Sequence, residues 1–181
     1  MLVEMKSPAF KERRKERPPI TFKKGLNVVL GKEDGAMSIG KSSTLLAIDF
    51  VFGGSTYIKS DGVKKEGHHT IFFTFEFNGV PYYFARNTGE ADTVFICDKN
   101  YEFTGNSYTK TEFVEWLKQQ YEIDFVGLSF RTVLSSFFRV YGKKNTDELN
   151  PLQGVHGQSM EKSITSILTL FNKYQAIEEF K

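Results

Sequence analysis

The run Gly35-Ala36-Met37-Ser38-Ile39-Gly40-Lys41-Ser42 fits the pattern G-x-x-x-x-G-K-[ST], which has meaning only between a strand and a helix. Both flanks are readable. Leu26-Asn27-Val28-Val29-Leu30 is nearly all apolar, as expected for a strand buried on both faces of an α/β sheet. Lys41 to Phe52 carries Leu45, Leu46, Ile48 and Phe52 at helical spacing, and Gly53-Gly54 stops it. A loop of this kind cradles an anion, because glycines let the backbone turn its N–H groups inward. Gly35, Ser38, Ile39 and Gly40 are the expected cradle. Lys41 supplies a point charge for the β- and γ-phosphates, and the Ser42 hydroxyl is a hard oxygen ligand for Mg²⁺. The following helix adds its positive end, and Ser43 and Thr44 are placed in its first turn as further donors. The bland alternative is a chance match in a glycine-rich turn, and the bare pattern is only moderately specific. The strand and helix around it favour a nucleoside triphosphate bound with Mg²⁺.

The loop departs from a compact one. Lys41 follows Leu30 by eleven positions, whereas about seven is usual, so Gly31 to Asp34 read as an insertion. Gly31 then belongs to the strand end rather than to the cradle, and Gly35 is the least secure cradle residue.

Beyond the loop, the chain alternates. In Thr70 to Phe77, Ile71, Phe73, Phe75 and Phe77 share one face. Asn78-Gly79 is a hairpin turn signal, and Val80 to Arg86 is its partner strand. Thr93 to Cys97 and Tyr101 to Phe103 suggest a second hairpin. Leu2 to Met5 and Ile20 to Phe22 are short strands, with an exposed loop between them. Helices are expected from the Thr109-x-x-Glu112 capping box onward, across Phe130 to Tyr141, and from Ser163 to Phe180, with 142–157 a polar loop. The 18 Phe and 8 Tyr suit large sheet faces. The reading is one α/β P-loop domain over 1–181. It has a strand–loop–helix core at 1–54, an antiparallel β section at 55–105 and a helical section at 109–181.

The single Cys97 excludes an internal disulfide and fits a reducing compartment. No secretory h-region and no apolar run near the ~20 residues needed for a membrane helix is visible. The expectation is a cytoplasmic protein with no membrane partner.

These residues together resemble a family. "ITFKKGLNVVLG" followed by "SIGKSSTLLAIDFVFGG" resembles the N-terminal half of SMC-like ATPases, the ABC-type heads of the RecF and RecN group. "HTIFFTFEFNGVPYYFAR" and "LSFRTVLSSFFR" are similar to a bacterial SMC-like family of three-component ABC systems. The resemblance implies an ATP-binding half-head. Its C-terminal half would follow a coiled coil and carry the ABC signature, the Walker B acids and a switch histidine. No such motif is seen in this sequence, so little or no hydrolysis by this chain alone is expected. The implied partners are the C-terminal half of the same head and a second copy, joined by ATP-dependent dimerisation, with DNA allowed as a further partner. A basic residue after the first strand touches nucleotide in such heads, which puts forward Arg13 and Arg14. A solvated loop is the competing reading of the run 11–17.

A self-contained P-loop kinase is the main alternative, but the β-rich stretch after the first helix does not continue as βαβ units. A GTPase would need a guanine-selecting motif that is absent from the sequence. His68-His69, Cys97, Asp49 and Asp124 are read as structural. Arg131, Arg139, Gln153 and Gln158 are weaker site candidates, and Arg86 is expected to pair with Glu76.

Overall fold

The computed structural model describes residues 1–12, 15–29, 39–123, 129–135 and 160–171. It falls into two compact units, Met1–Tyr121 and Glu122–Lys181. The first is a mixed α/β unit built on a six-stranded antiparallel sheet. Its strands are β1 (Leu2–Lys6), β4 (Ile20–Thr21), β5 (Thr70–Phe77), β6 (Val80–Asn87), β7 (Thr93–Cys97) and β8 (Phe103–Thr109). They lie in the order β4-β1-β5-β6-β7-β8. β2 (Lys11–Glu12) and β3 (Lys15–Glu16) form a separate small hairpin. The stretch read as a plain loop therefore contains a paired ribbon, although Lys15 to Pro19 are exposed as expected.

The central hairpin follows from its sequence. Asn78 and Gly79 both take positive φ, 52° and 78°, the conformation a two-residue turn needs to match strand twist. With that turn fixed, Phe73 faces Phe84 and Phe75 faces Tyr82 across the ladder. Ile71, Phe73 and Phe75 are fully buried. Two helices cover this face. The end of α1 (Ile39–Val51) brings Phe52 edge-on to Phe75 at 5.2 Å, and α3 (Lys110–Gln120) brings Phe113 and Trp116 against Phe84 at 5.2 and 5.1 Å. Each fully buried Phe contributes about 1.5–3 kcal/mol of burial. α3 starts where the sequence says it should: the Thr109 hydroxyl accepts from the Glu112 amide, and the Glu112 carboxylate accepts from the Thr109 amide.

The opposite face is more polar. Thr74 and Tyr101 share a hydrogen bond of 2.6 Å, and the Tyr101 hydroxyl donates to Glu4 at 3.0 Å. That satisfies a buried threonine in the middle of a strand.

The end of α1 is held in an unexpected way. Gly54 lies against Asp49 so closely that a Cβ there would stand 2.7 Å from the Asp49 carbonyl oxygen. The turn also exposes carbonyls that the helix cannot satisfy. Arg86, fully buried, supplies the donors: its guanidinium donates to Phe50 O, to Gly54 O at 2.9 Å and to Ala91 O at 2.8 Å, and lies 4.0 Å over the Phe50 ring. The expected Arg86–Glu76 pair is thus corrected. The register sets Arg86 opposite Ile71 and Glu76 opposite Pro81, so the two are far apart along the ladder.

Two further expectations change. Residues 26–29 form no strand, and Leu26 and Val28 are 90% and 64% exposed. The Asn27 side chain folds back instead, accepting from the Lys23 amide and donating to the Lys23 and Gly25 carbonyls. A doubly buried strand needs neighbours on both sides, and no described strand flanks this segment. Residues 55–66, placed from sequence at the start of the antiparallel β section, form instead a 3-10 turn (Thr56–Lys59) and a short α2 (Asp61–Glu66), whose N-cap is Ser60.

The second unit contains α4 (Phe130–Ser135) and α5 (Met160–Leu170). The predicted helix over 130–141 is thus described to 135 and the last helix to 170. Leu30, Asp124, the remainder of 136–159 and 172–181 lie outside the described residues. No helix among the described residues is long and apolar enough to cross a membrane.

Cys97 is buried at the end of β7, and burial pushes its thiol up to about 11. The nucleophilic form is the thiolate. The native protein is therefore expected to resist alkylation at pH 8, and to take up one equivalent of reagent once unfolded in guanidinium. Mass spectrometry of both samples checks this, and rapid labelling of the folded chain would contradict it.

Candidate functional site

The helix that carries the Gly-Lys-Ser motif begins at Ile39, two residues earlier than its apolar spacing suggests, and runs 13 residues to Val51. Ile39, Gly40, Lys41 and Ser42 form its opening turn. The backbone N–H groups at such a start have no acceptor within the helix, and they point outward with the positive end of its dipole. Ser43 and Thr44 consequently fall in the second turn, where the amides are used by the helix. The side chains of Ile39, Lys41 and Ser42, and all of Gly35, Ser38, Arg13 and Arg14, lie outside the described residues.

Beside this helix start is a cavity of about 170 Å³. α1 contributes Ser43 and Thr44 to its wall. The segment after β1 contributes Ala9 and Phe10, β2 contributes Lys11, and Arg17 and Ile20 come from the following stretch. Tyr57, Gly62, Glu66 and His69 close the other side. The wall thus combines apolar surface with three hydroxyl-bearing residues, an imidazole, two cations and one carboxylate. Lys11 and Glu66 are joined at 3.1 Å, which ties the β2–β3 hairpin to α2. This pair is partly exposed, so its contribution to stability is at most about 1 kcal/mol.

Tyr57 and His69 form the best-defined polar group of the wall. Tyr57 is 3% exposed, and its hydroxyl lies 3.0 Å from His69 Nε2. The other ring nitrogen, Nδ1, lies 2.8 Å from the Gly67 carbonyl. A carbonyl can only accept, so Nδ1 carries the hydrogen, and in the neutral ring Nε2 is left as an acceptor. Tyr57 O–H therefore donates to Nε2. Burial, with Glu66 as a second cause, pushes this hydroxyl up to about 12, so it keeps its proton at neutral pH. The neighbouring His68 is turned to Thr88, whose hydroxyl also accepts from the His69 amide at 2.9 Å. Both histidines are thus engaged in holding the start of β5. No group of three or more His, Cys, Asp or Glu among the described residues could hold a metal ion.

The basic run reaches the cavity through its ends, Lys11 and Arg17. Phe10, Tyr57 and Glu66 carry no signal in the sequence that singles them out, and His69 reads there as structural. Tyr57 and His69 are twelve positions apart and meet only because the chain reverses through the 3-10 turn and α2, a spacing that carries no pattern. Arg131 lies on α4 in the second unit, while Arg139, Gln153 and Gln158 lie outside the described residues. No protein-family model, curated protein or solved structure matches the chain, so what the site does has to be argued from its own residues.

Proposed function

We propose that this chain is the ATP-binding N-terminal half of an SMC-like, ABC-type ATPase head. It would act in DNA repair, DNA maintenance or defence through ATP-dependent dimerisation. One observation carries the reading: Gly40-Lys41-Ser42 opens α1, and a cavity with mixed apolar and polar walls lies alongside the same helix at Ser43 and Thr44. An anion-binding helix start with a recess beside it suits a phosphate chain attached to a larger organic group. The antiparallel strands after α1 weigh against a self-contained kinase, which would continue as parallel βαβ units. The exposed Leu26 and Val28 fit a half-head, in which a C-terminal half would flank this segment.

In this reading Lys41 sets its ammonium on the β- and γ-phosphates, and the opening-turn amides hold the phosphate chain. Mg²⁺, with Ser42 as one ligand, supplies charge neutralisation when bound with the nucleotide. Hydrolysis further requires a positioned water and a residue to orient it, which the C-terminal half would bring.

Titration calorimetry of Mg·ATP into the chain tests the proposal. Binding is expected, and Lys41→Ala should weaken it roughly 10- to 100-fold, the loss of one or two charge-assisted hydrogen bonds. Equal affinities would overturn the loop assignment. Steady-state turnover by the isolated chain that disappears in Lys41→Ala would overturn the half-site part of the proposal.

A further inference from the structure

The turn that sets the central hairpin carries a reactive pair. Asn78-Gly79 is the one Asn-Gly step in the chain, and both residues are exposed. The Cγ carbon of an asparagine side chain can close a five-membered ring with the main-chain nitrogen of the next residue. Three features hold that reaction back: a hydrogen-bonded side-chain amide, a hydrogen-bonded nitrogen, and a side chain on the next residue. The other described asparagines have such protection. The Asn27 amide is bound to Lys23 and Gly25, and that of Asn87 to Thr70 and Gly89. Tyr101 follows Asn100, and Ser107 follows Asn106. Asn78 has none of the three. Among the described residues neither its side chain nor the Gly79 amide makes a hydrogen bond, and glycine has no Cβ.

We infer that Asn78 is a site of spontaneous conversion to aspartate and isoaspartate, and that the folded hairpin controls its rate. The Gly79 nitrogen gives its proton to hydroxide and attacks Asn78 Cγ. The side-chain nitrogen takes up a proton and leaves as ammonia, and a succinimide joins the two residues. Water then adds at one of the two ring carbonyls and opens the ring. One opening leaves aspartate in an ordinary main chain. The other routes the main chain through the former side chain, as isoaspartate. Water is consumed and ammonia released, with no oxidant or reductant.

The control lies in the turn. Asn78 and Gly79 sit at φ 52° and 78°, and the Phe77–Val80 pair closes the turn. Ring closure needs rotation of the Asn78 backbone, so the turn must open first. Isoaspartate adds a main-chain carbon between residues 78 and 79. A two-residue turn cannot close with it, and the register that sets Phe73 opposite Phe84 goes with the turn. An opening that ends in isoaspartate is therefore permanent. This inference stands independently of nucleotide binding.

The test ages the chain at pH 9 and 37 °C, folded and in guanidinium, and maps its peptides by mass spectrometry. Chromatography separates the aspartyl and isoaspartyl forms. Asn78 is expected to convert before any other asparagine, roughly tenfold or more slowly in the folded chain, since attack waits on an opened turn. Asn78→Gly keeps a residue suited to positive φ and removes the reacting side chain. After equal ageing in guanidinium it should refold fully, whereas the wild type should lose a refolding fraction equal to its isoaspartate content. Resistance to protease reads the refolded fraction. Earlier conversion of another asparagine overturns the site. Equal rates in the folded and unfolded chains overturn the control by the hairpin. Aged wild type that refolds as fully as Asn78→Gly overturns the permanence.

Discussion

Arg86→Ala is expected to destabilise the first unit by roughly 3–5 kcal/mol, the range for breaking a buried charged network. The wild-type guanidinium is fully buried and answers three carbonyls, those of Phe50, Gly54 and Ala91. Alanine leaves all three without that donor and opens a void against the Phe50 ring. Arg86→Lys should recover only part of the loss, since an ammonium cannot reproduce the planar fork that spans Ala91 on one side and the helix end on the other. Urea denaturation of the three proteins measures this. A cost under about 1 kcal/mol for the alanine variant would falsify the account. The effect reaches the site as well. Phe50 and Gly54 terminate the helix whose opposite end carries Lys41, so the variant is expected to weaken Mg·ATP binding in proportion to the loosening of α1.

Phe75→Ala should cost about 3–5 kcal/mol, because the ring is fully enclosed and its loss leaves a cavity. The rings of Phe52, Phe73, Phe77, Phe84, Phe113 and Trp116 all stand within 6.5 Å of it, centroid to centroid, and come from the sheet and both covering helices. Removing it loosens every layer at once. Phe103→Ala is the control. Phe103 is 58% exposed and stacks on Phe95 at 4.9 Å, so its loss should cost under about 1 kcal/mol. Comparable losses at both positions would show that the core does not lie where the covering helices place it.

What was legible in the sequence was what one segment decides for itself. The alternation of Thr70 to Phe77, the turn at Asn78-Gly79 and the capping box at Thr109 each need only their own residues, and each stands where its pattern says. What depended on a distant partner was not legible. Leu26 to Leu30 has the composition of a buried strand, but composition does not reveal whether neighbours exist to bury it, and Leu26 is exposed. Arg86 reads from sequence as a partner for Glu76, but the ladder register separates them, and its acceptors come from the end of α1 and from Ala91. Of the candidate site, the helix start was legible through Gly40 and Lys41. The Tyr57–His69 wall was not, since a 3-10 turn and a six-residue helix are too short to show a period.

Trp116, packed against Phe77, Tyr82 and Phe84, is the one tryptophan of the chain. Its emission therefore reports from a single place, the seam between α3 and the sheet. The second unit is silent at that wavelength, yet its helices contribute to far-ultraviolet dichroism. Two optical signals thus separate what one melting curve would blend. Superimposable transitions would mean that both units unfold as one cooperative body, and a gap between them would date the loss of each.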